Sequence, residues 1–118
     1  MEMPELADLV WLFEDEPTPE FEDLSWPVGL HSFRLRRGTR EVVFSLDPTS
    51  GEAYLTISDA GGDVVSLGRL RTLEGLTVEK DGAREGLVLR FAHGFDPLRL
   101  ETRPIIRLSW DVIPLSAW

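Results

Sequence analysis

Cysteine is absent from this 118-residue chain, which excludes a disulfide framework and any thiolate nucleophile or metal ligand. Histidine occurs only at His31 and His93, and neither stands in an HExxH or comparable spacing, so a zinc site has little to be built from. No serine lies in a nucleophile-elbow sequence. Apolar runs are short: none approaches the roughly 18 residues that a membrane-crossing helix requires, and the N-terminus lacks the basic start and apolar centre of a secretory signal. These absences together predict a non-catalytic protein without cofactor or metal, resident in the cytoplasm and without membrane contact.

Basic residues are missing from one region only. Residues 1–26 hold Glu2, Glu5, Asp8, Glu14, Asp15, Glu16, Glu20, Glu22 and Asp23 with no lysine or arginine, whereas the remainder balances twelve acids against twelve bases. The net charge of −9 therefore resides in the N-terminal segment. Such an excess repels phosphates and argues against nucleic acid binding there. The twelve bases are eleven arginines and Lys80.

What is present reads as one domain, a short helix and an acidic connector over residues 1–26 followed by a β body over 27–118. Leu6, Leu9, Val10 and Phe13 recur at i, i+3, i+4 and i+7, which predicts a helix within residues 4–14, opened by Pro4 at its first position. Residues 14–27 contain Pro17, Pro19 and Pro27 among the acids and predict an extended connector without regular structure. Phe21, Leu24 and Trp26 are too apolar for a free linker, so this connector is expected to lie against the body and cover them.

Beyond Pro27 the pattern is strict alternation punctuated by turns. Phe33 and Leu35 share a face, as do Val42, Phe44 and Leu46, then Ala53, Leu55 and Ile57, then Leu76 and Val78, then Leu87, Leu89 and Phe91. Turns are expected at Gly38 and Thr39, over DPTSG (47–51), DAGGD (59–63) and DGAREG (81–86), and at HGFDP (93–97). Residues 64–73, interrupted by Gly68, predict a bulged strand or two short ones. In the last segment Leu98, Leu100, Thr102, Pro104, Ile106, Leu108, Trp110 and Val112 keep one phase, which favours a single strand bent at Pro104 over a hairpin there. The fold class predicted is all-β, an antiparallel sandwich or partly closed barrel of seven or eight strands with one short N-terminal helix.

Alternation also sorts the polar residues. Arg99, Glu101, Arg103 and Arg107 fall opposite the core phase, and so does Arg90 on the preceding strand. Arg90, Arg99, Arg103 and Arg107 thus form a candidate anion-binding face, whose plainer reading is a solvated sheet surface paired with nearby acids. A third reading lays the acidic N-terminal segment across these arginines. His31 shares the face of Phe33 and reads as a hydrogen-bonded structural histidine, while His93 sits in a turn three residues before Asp96. The acids of the connector lack the spacing of a calcium loop. Trp11 and Trp26 flank them, Trp110 alternates with core residues, and Trp118 ends the chain.

Two short motifs invite a comparison. Arg36, Arg37 and Arg40 in RRGTR, followed by TISDAGG over residues 56–62, resemble the RxxxR and DxSxxG motifs of PilZ domains. That resemblance implies a β-barrel binding cyclic di-GMP, with Ser58 and Gly61 in the motif positions. Thr56 stands where the motif has aspartate, and the arginines fall in an expected hairpin, so the likeness stops short of an assignment.

The functional expectation is a protein-interaction module whose acidic N-terminal region engages a basic protein partner, with Trp11, Glu14, Asp15, Glu16, Glu20, Glu22, Asp23 and Trp26 as the contact residues. A small bacterial immunity or inhibitor protein is one concrete form of it. The alternative is a β-barrel binding a small anionic ligand or nucleotide on the arginine face.

Overall fold

Alternating side chains form strands because a pleated backbone sends neighbours to opposite faces, and burying one face drives two such layers together. The computed structural model describes residues 2–60 and 62–110. In chain order it runs α1 (Leu6–Phe13), β1 (Thr18–Pro19), β2 (His31–Arg37), β3 (Arg40–Asp47), β4 (Glu52–Asp59), β5 (Gly62–Leu70), β6 (Leu73–Asp81), β7 (Arg84–Phe91), β8 (Leu98–Arg103) and β9 (Arg107–Trp110). All pairings between strands are antiparallel, in two sheets ordered β1-β2-β3-β4-β5 and β6-β7-β8-β9. The architecture is thus an all-β sandwich with one helix. Its strand count exceeds the expectation because a two-residue strand forms within the connector and the last segment folds back on itself.

The predicted inward sets are buried for the most part, with Val78, Leu108 and Trp110 half-buried and Pro104 exposed. Phe33, Leu35, Val42, Phe44, Leu46, Ala53, Leu55 and Ile57 come from one sheet, and Leu76, Leu87, Leu89, Phe91, Leu98 and Leu100 from the other. Gly38 and Gly82 take left-handed φ values of 61° and 64° in the two-residue turns that close Arg37 against Arg40 and Asp81 against Arg84. The turn after Asp47 is held by its carboxylate, which accepts from the Thr49 and Ser50 amides at 2.9 and 3.3 Å. Register shifts along β4 and β5 confirm the bulged character expected near Gly68.

The last segment corrects the expectation of a bend. Leu100 pairs with Leu108 and Leu98 with Trp110, so residues 98–110 form a hairpin. Opposed residues share a face, and these pairs join even to even because the turn is centred on a residue, Pro104. A two-residue turn, as between β2 and β3, joins odd to even and reverses the phase. Unbroken phase therefore never distinguished a bent strand from an odd-numbered hairpin loop. Val112 and Trp118, named above, lie outside the described residues.

Helix α1 starts at Leu6, with Glu5 as an extended N-cap, and not at Pro4. It packs against β2 and β6. Leu9, Leu12 and Phe13 belong to the central core, with Phe13 stacked on Phe33 at 5.3 Å and on Phe44 at 6.0 Å. Before the helix, Glu2 bridges to β6: the Leu76 amide donates to its carbonyl at 2.9 Å and its own amide donates to that of Glu74 at 3.2 Å. The N-terminal segment is consequently part of the core.

A buried aromatic and an exposed one in the same acidic region should respond differently. Phe13→Ala is expected to cost about 3–5 kcal/mol through lost burial and a cavity, whereas Phe21→Ala should stay within about 0.5 kcal/mol. Urea denaturation of the two variants measures the contrast.

Candidate functional site

Two groups of acids emerge from the N-terminal excess, distinguished by whether a base meets them. Glu14 ends α1 in a left-handed conformation, φ 60°, that non-glycine residues adopt at some cost. This sends its carboxylate between the two sheets. Arg37 of β2 donates to it at 2.5 and 3.2 Å, and Arg103 of β8 donates through Nε at 3.2 Å and through Nη2. Arg37 also donates to the Thr102 carbonyl at 3.1 Å, and Arg40 of β3 to the Ile106 carbonyl at 3.0 Å. One end of the sandwich is thereby tied across its layers.

Hydrogen bonds from Arg37 and then Arg103 hold the Glu14 carboxyl down at about 2, against partial desolvation that works the other way. The bond to Glu14 in turn raises Arg103. On the outer side of the helix, the Lys80 ammonium sits 3.7 Å over the Trp11 ring and the Arg103 guanidinium 5.7 Å from it.

The second group is on the connector. β1 lies antiparallel on β2, pairing Thr18 with Ser32 and Pro19 with His31, and the Glu20 amide donates to the Leu30 carbonyl at 2.8 Å. Trp26 packs edge-on against His31 and Phe33, at 5.4 and 5.9 Å, and His31 bonds the Val28 carbonyl at 2.8 Å. The connector is thus ordered against the body, as the apolar residues required, but with a strand the prolines did not suggest. Leu24 and Trp26 are half-covered. Phe21 is not: it is 60% exposed, flanked by Glu20, Glu22 and Asp23. A local turn, with the Leu24 amide bonded to the Phe21 carbonyl at 3.0 Å, is short enough to satisfy the backbone without drawing the ring inward. Among the described residues no base pairs with Asp15, Glu16, Glu20, Glu22 or Asp23.

The arginine set is brought to the four-stranded sheet, and each member meets an acid. Arg90 pairs with Glu2 at 2.6 Å, Arg99 with Glu79 at 3.0 Å, Arg107 with Glu101 at 3.7 Å, and Arg103 with Glu14 and with Glu85 at 3.4 Å. Glu79 and Glu85 are the partners that sequence reasoning missed, since they reach the arginines only through the registers of β6, β7 and β8. Arg36 pairs with Glu41 and Arg40 with Asp59, so the PilZ-like arginines are engaged within the chain. Gly61 of that comparison lies outside the described residues. His93 is exposed in a left-handed turn, and Trp110 packs tilted against Phe91 while donating to the Asp96 carbonyl at 3.1 Å.

A helix-wedged β-sandwich with an ordered acidic flank is the class these features define. A chain in the solved structure of a contact-dependent growth inhibition toxin–immunity protein complex from Klebsiella pneumoniae 342 is similar to it, with a TM-score of 0.73 and 14% identity over 92% of this chain and 93% of that chain. At that identity the likeness speaks for the fold alone. No family model and no curated protein matches the sequence.

Because the folded Glu14 carboxyl titrates below its ordinary value of 4.5, its contribution to stability is complete above that value and is lost as pH falls toward about 2. Glu14→Gln should lower stability at pH 7 and flatten the acid limb between pH 4.5 and 2. Thermal melts across that range measure both effects, which solvent access to Glu14 keeps modest.

Proposed function

We propose that this chain is an immunity-type protein that neutralises a basic bacterial toxin domain by covering it with the acidic connector. The observation that carries this reading is the connector itself: five carboxylates that meet no base among the described residues share with an exposed phenylalanine a backbone pinned to β2. Carboxylates steer a basic partner and set register, while a desolvated aromatic supplies the central anchor. The fold likeness to a chain of a toxin–immunity complex supports the same reading. Blocking a basic active site needs shape and charge but no chemistry, in keeping with a sequence that offers no assembled nucleophile and base.

Within this proposal the contact residues divide by role. Asp15, Glu16, Glu20, Glu22 and Asp23 meet the partner's bases and Phe21 fills a pocket. Trp26 and Glu14 hold the connector's two ends from behind, and Trp11 borders the surface. The alternative anionic-ligand site at Arg90, Arg99, Arg103 and Arg107 has weaker support, since each arginine already holds a carboxylate.

The test is co-expression with the products of the genes that adjoin this one, scored by survival and by binding kinetics. The triple reversal Glu20→Lys, Glu22→Lys and Asp23→Lys should slow association by about 100-fold at low salt and abolish protection. Phe21→Ala should act chiefly on dissociation. Full protection by the triple variant, or no complex with any neighbouring product, would overturn the reading.

A further inference from the structure

At the same end of the sandwich as the connector, a groove of about 220 Å³ opens between the β5–β6 crossover and the loop after β7, lined by Leu70, Arg71, Thr72, Phe91, Phe95 and Trp110. Its walls are aromatic and unfilled: Phe95 is 56% exposed, and the Trp110 indole is already satisfied by Asp96, so the rings face the groove as apolar surface. The walls are also held in costly backbone. Thr72, a β-branched residue, has φ 61° and His93 has φ 64°, and the Ala92 amide ties the two segments through the Thr72 carbonyl at 2.9 Å. Such conformations persist where the surrounding structure fixes them and often mark binding surfaces.

A base also stands at the same place. Of the arginines whose surroundings are described, Arg34, Arg36, Arg37, Arg40, Arg90, Arg99, Arg103 and Arg107 all hold carboxylates. Among the described residues Arg71, exposed on the rim of the groove, and Arg84, exposed where β7 begins, hold none. An occupant of this groove should therefore bring an aromatic or aliphatic side chain with a carboxylate beside it. The connector has that chemistry: an exposed Phe21 between Glu20 and Glu22, with no base nearby in sequence.

We infer that the groove accepts the connector of a second copy of this chain, giving a two-fold dimer joined end to end. The register makes the contact reciprocal. Pro19, His31, Leu46, Ala53 and Leu70 stand side by side in one row across the five-stranded sheet. Phe21 lies just beyond the first of them and Arg71 just beyond the last, about 19 Å apart at four strand spacings. A two-fold axis perpendicular to the sheet, placed just beyond the middle of that row and outside the molecule, sets Phe21 of each copy opposite Arg71 of the other, so both grooves are filled at once. Such an interface is self-complementary and closes without forming fibres. It uses the surface proposed for a protein partner, so self-association and partner binding exclude one another, but it does not depend on that proposal.

Sedimentation equilibrium of the full chain tests it. A monomer–dimer equilibrium is expected, with Phe21→Ala and Arg71→Glu each weakening it at least about tenfold, and neither residue is buried enough for the change to unfold the protein. An equal mixture of the two variants should dimerise more tightly than either alone, because one intact groove and one intact connector then meet. A wild-type chain that stays monomeric to about 0.5 mM would overturn the inference. So would a dimer indifferent to both substitutions, as pairing through the β5 edge would give, or a mixture no tighter than its components.

Discussion

Insertion of α1 between the two sheets is the constraint on which the rest of this structure depends. Phe13 lies against Phe33 and Phe44 on one layer, and the residue that follows it, Glu14, gathers an arginine from each layer. Hydrophobic burial is non-directional, so Phe13 alone would fix depth without fixing orientation. The bidentate bonds from Arg37 and Arg103 supply direction, and the left-handed turn at Glu14 aims the carboxylate at both. With the helix end held there, the chain can only leave along β2, which is why a proline-rich connector acquires the pairing of β1 and becomes a defined surface.

The acid excess thereby separates into two populations with different physical roles. Glu2 and Glu14 neutralise arginines on the body, and the sandwich is stitched to its N-terminal segment through them. The connector acids meet no base among the described residues and leave a localised negative field around an exposed ring. A field of that kind costs the isolated protein some self-repulsion, and it gains a return only when a positive surface arrives. Arg71, the exposed base on the aromatic rim, is the opposite feature at the same end of the molecule.

Much of the fold was legible because alternation is a local signal. Phe33 to Leu35, Val42 to Leu46, Ala53 to Ile57 and Leu87 to Phe91 each declared an inward face without reference to any partner, and each is buried. The hairpin at Pro104 was not legible, since an odd-numbered loop preserves the phase that a bend preserves. Phe21 was misjudged for a related reason: apolarity says that cover is favourable, but whether cover exists depends on how the connector turns. The pairing of Arg99 with Glu79 and of Arg103 with Glu85 depends on strand register, which no spacing within one strand encodes.

By itself the sequence determined the class of fold, the inward residues and the confinement of net charge to one segment, because periodicity and composition act residue by residue. Only the tertiary structure decided which acids are spent on arginines and which meet no base among the described residues. It also placed Phe21 and the Arg71 groove at the two ends of one row. Those outcomes follow from sheet order and from the angle at which α1 enters, and both are set by long-range packing between segments that carry no record of one another.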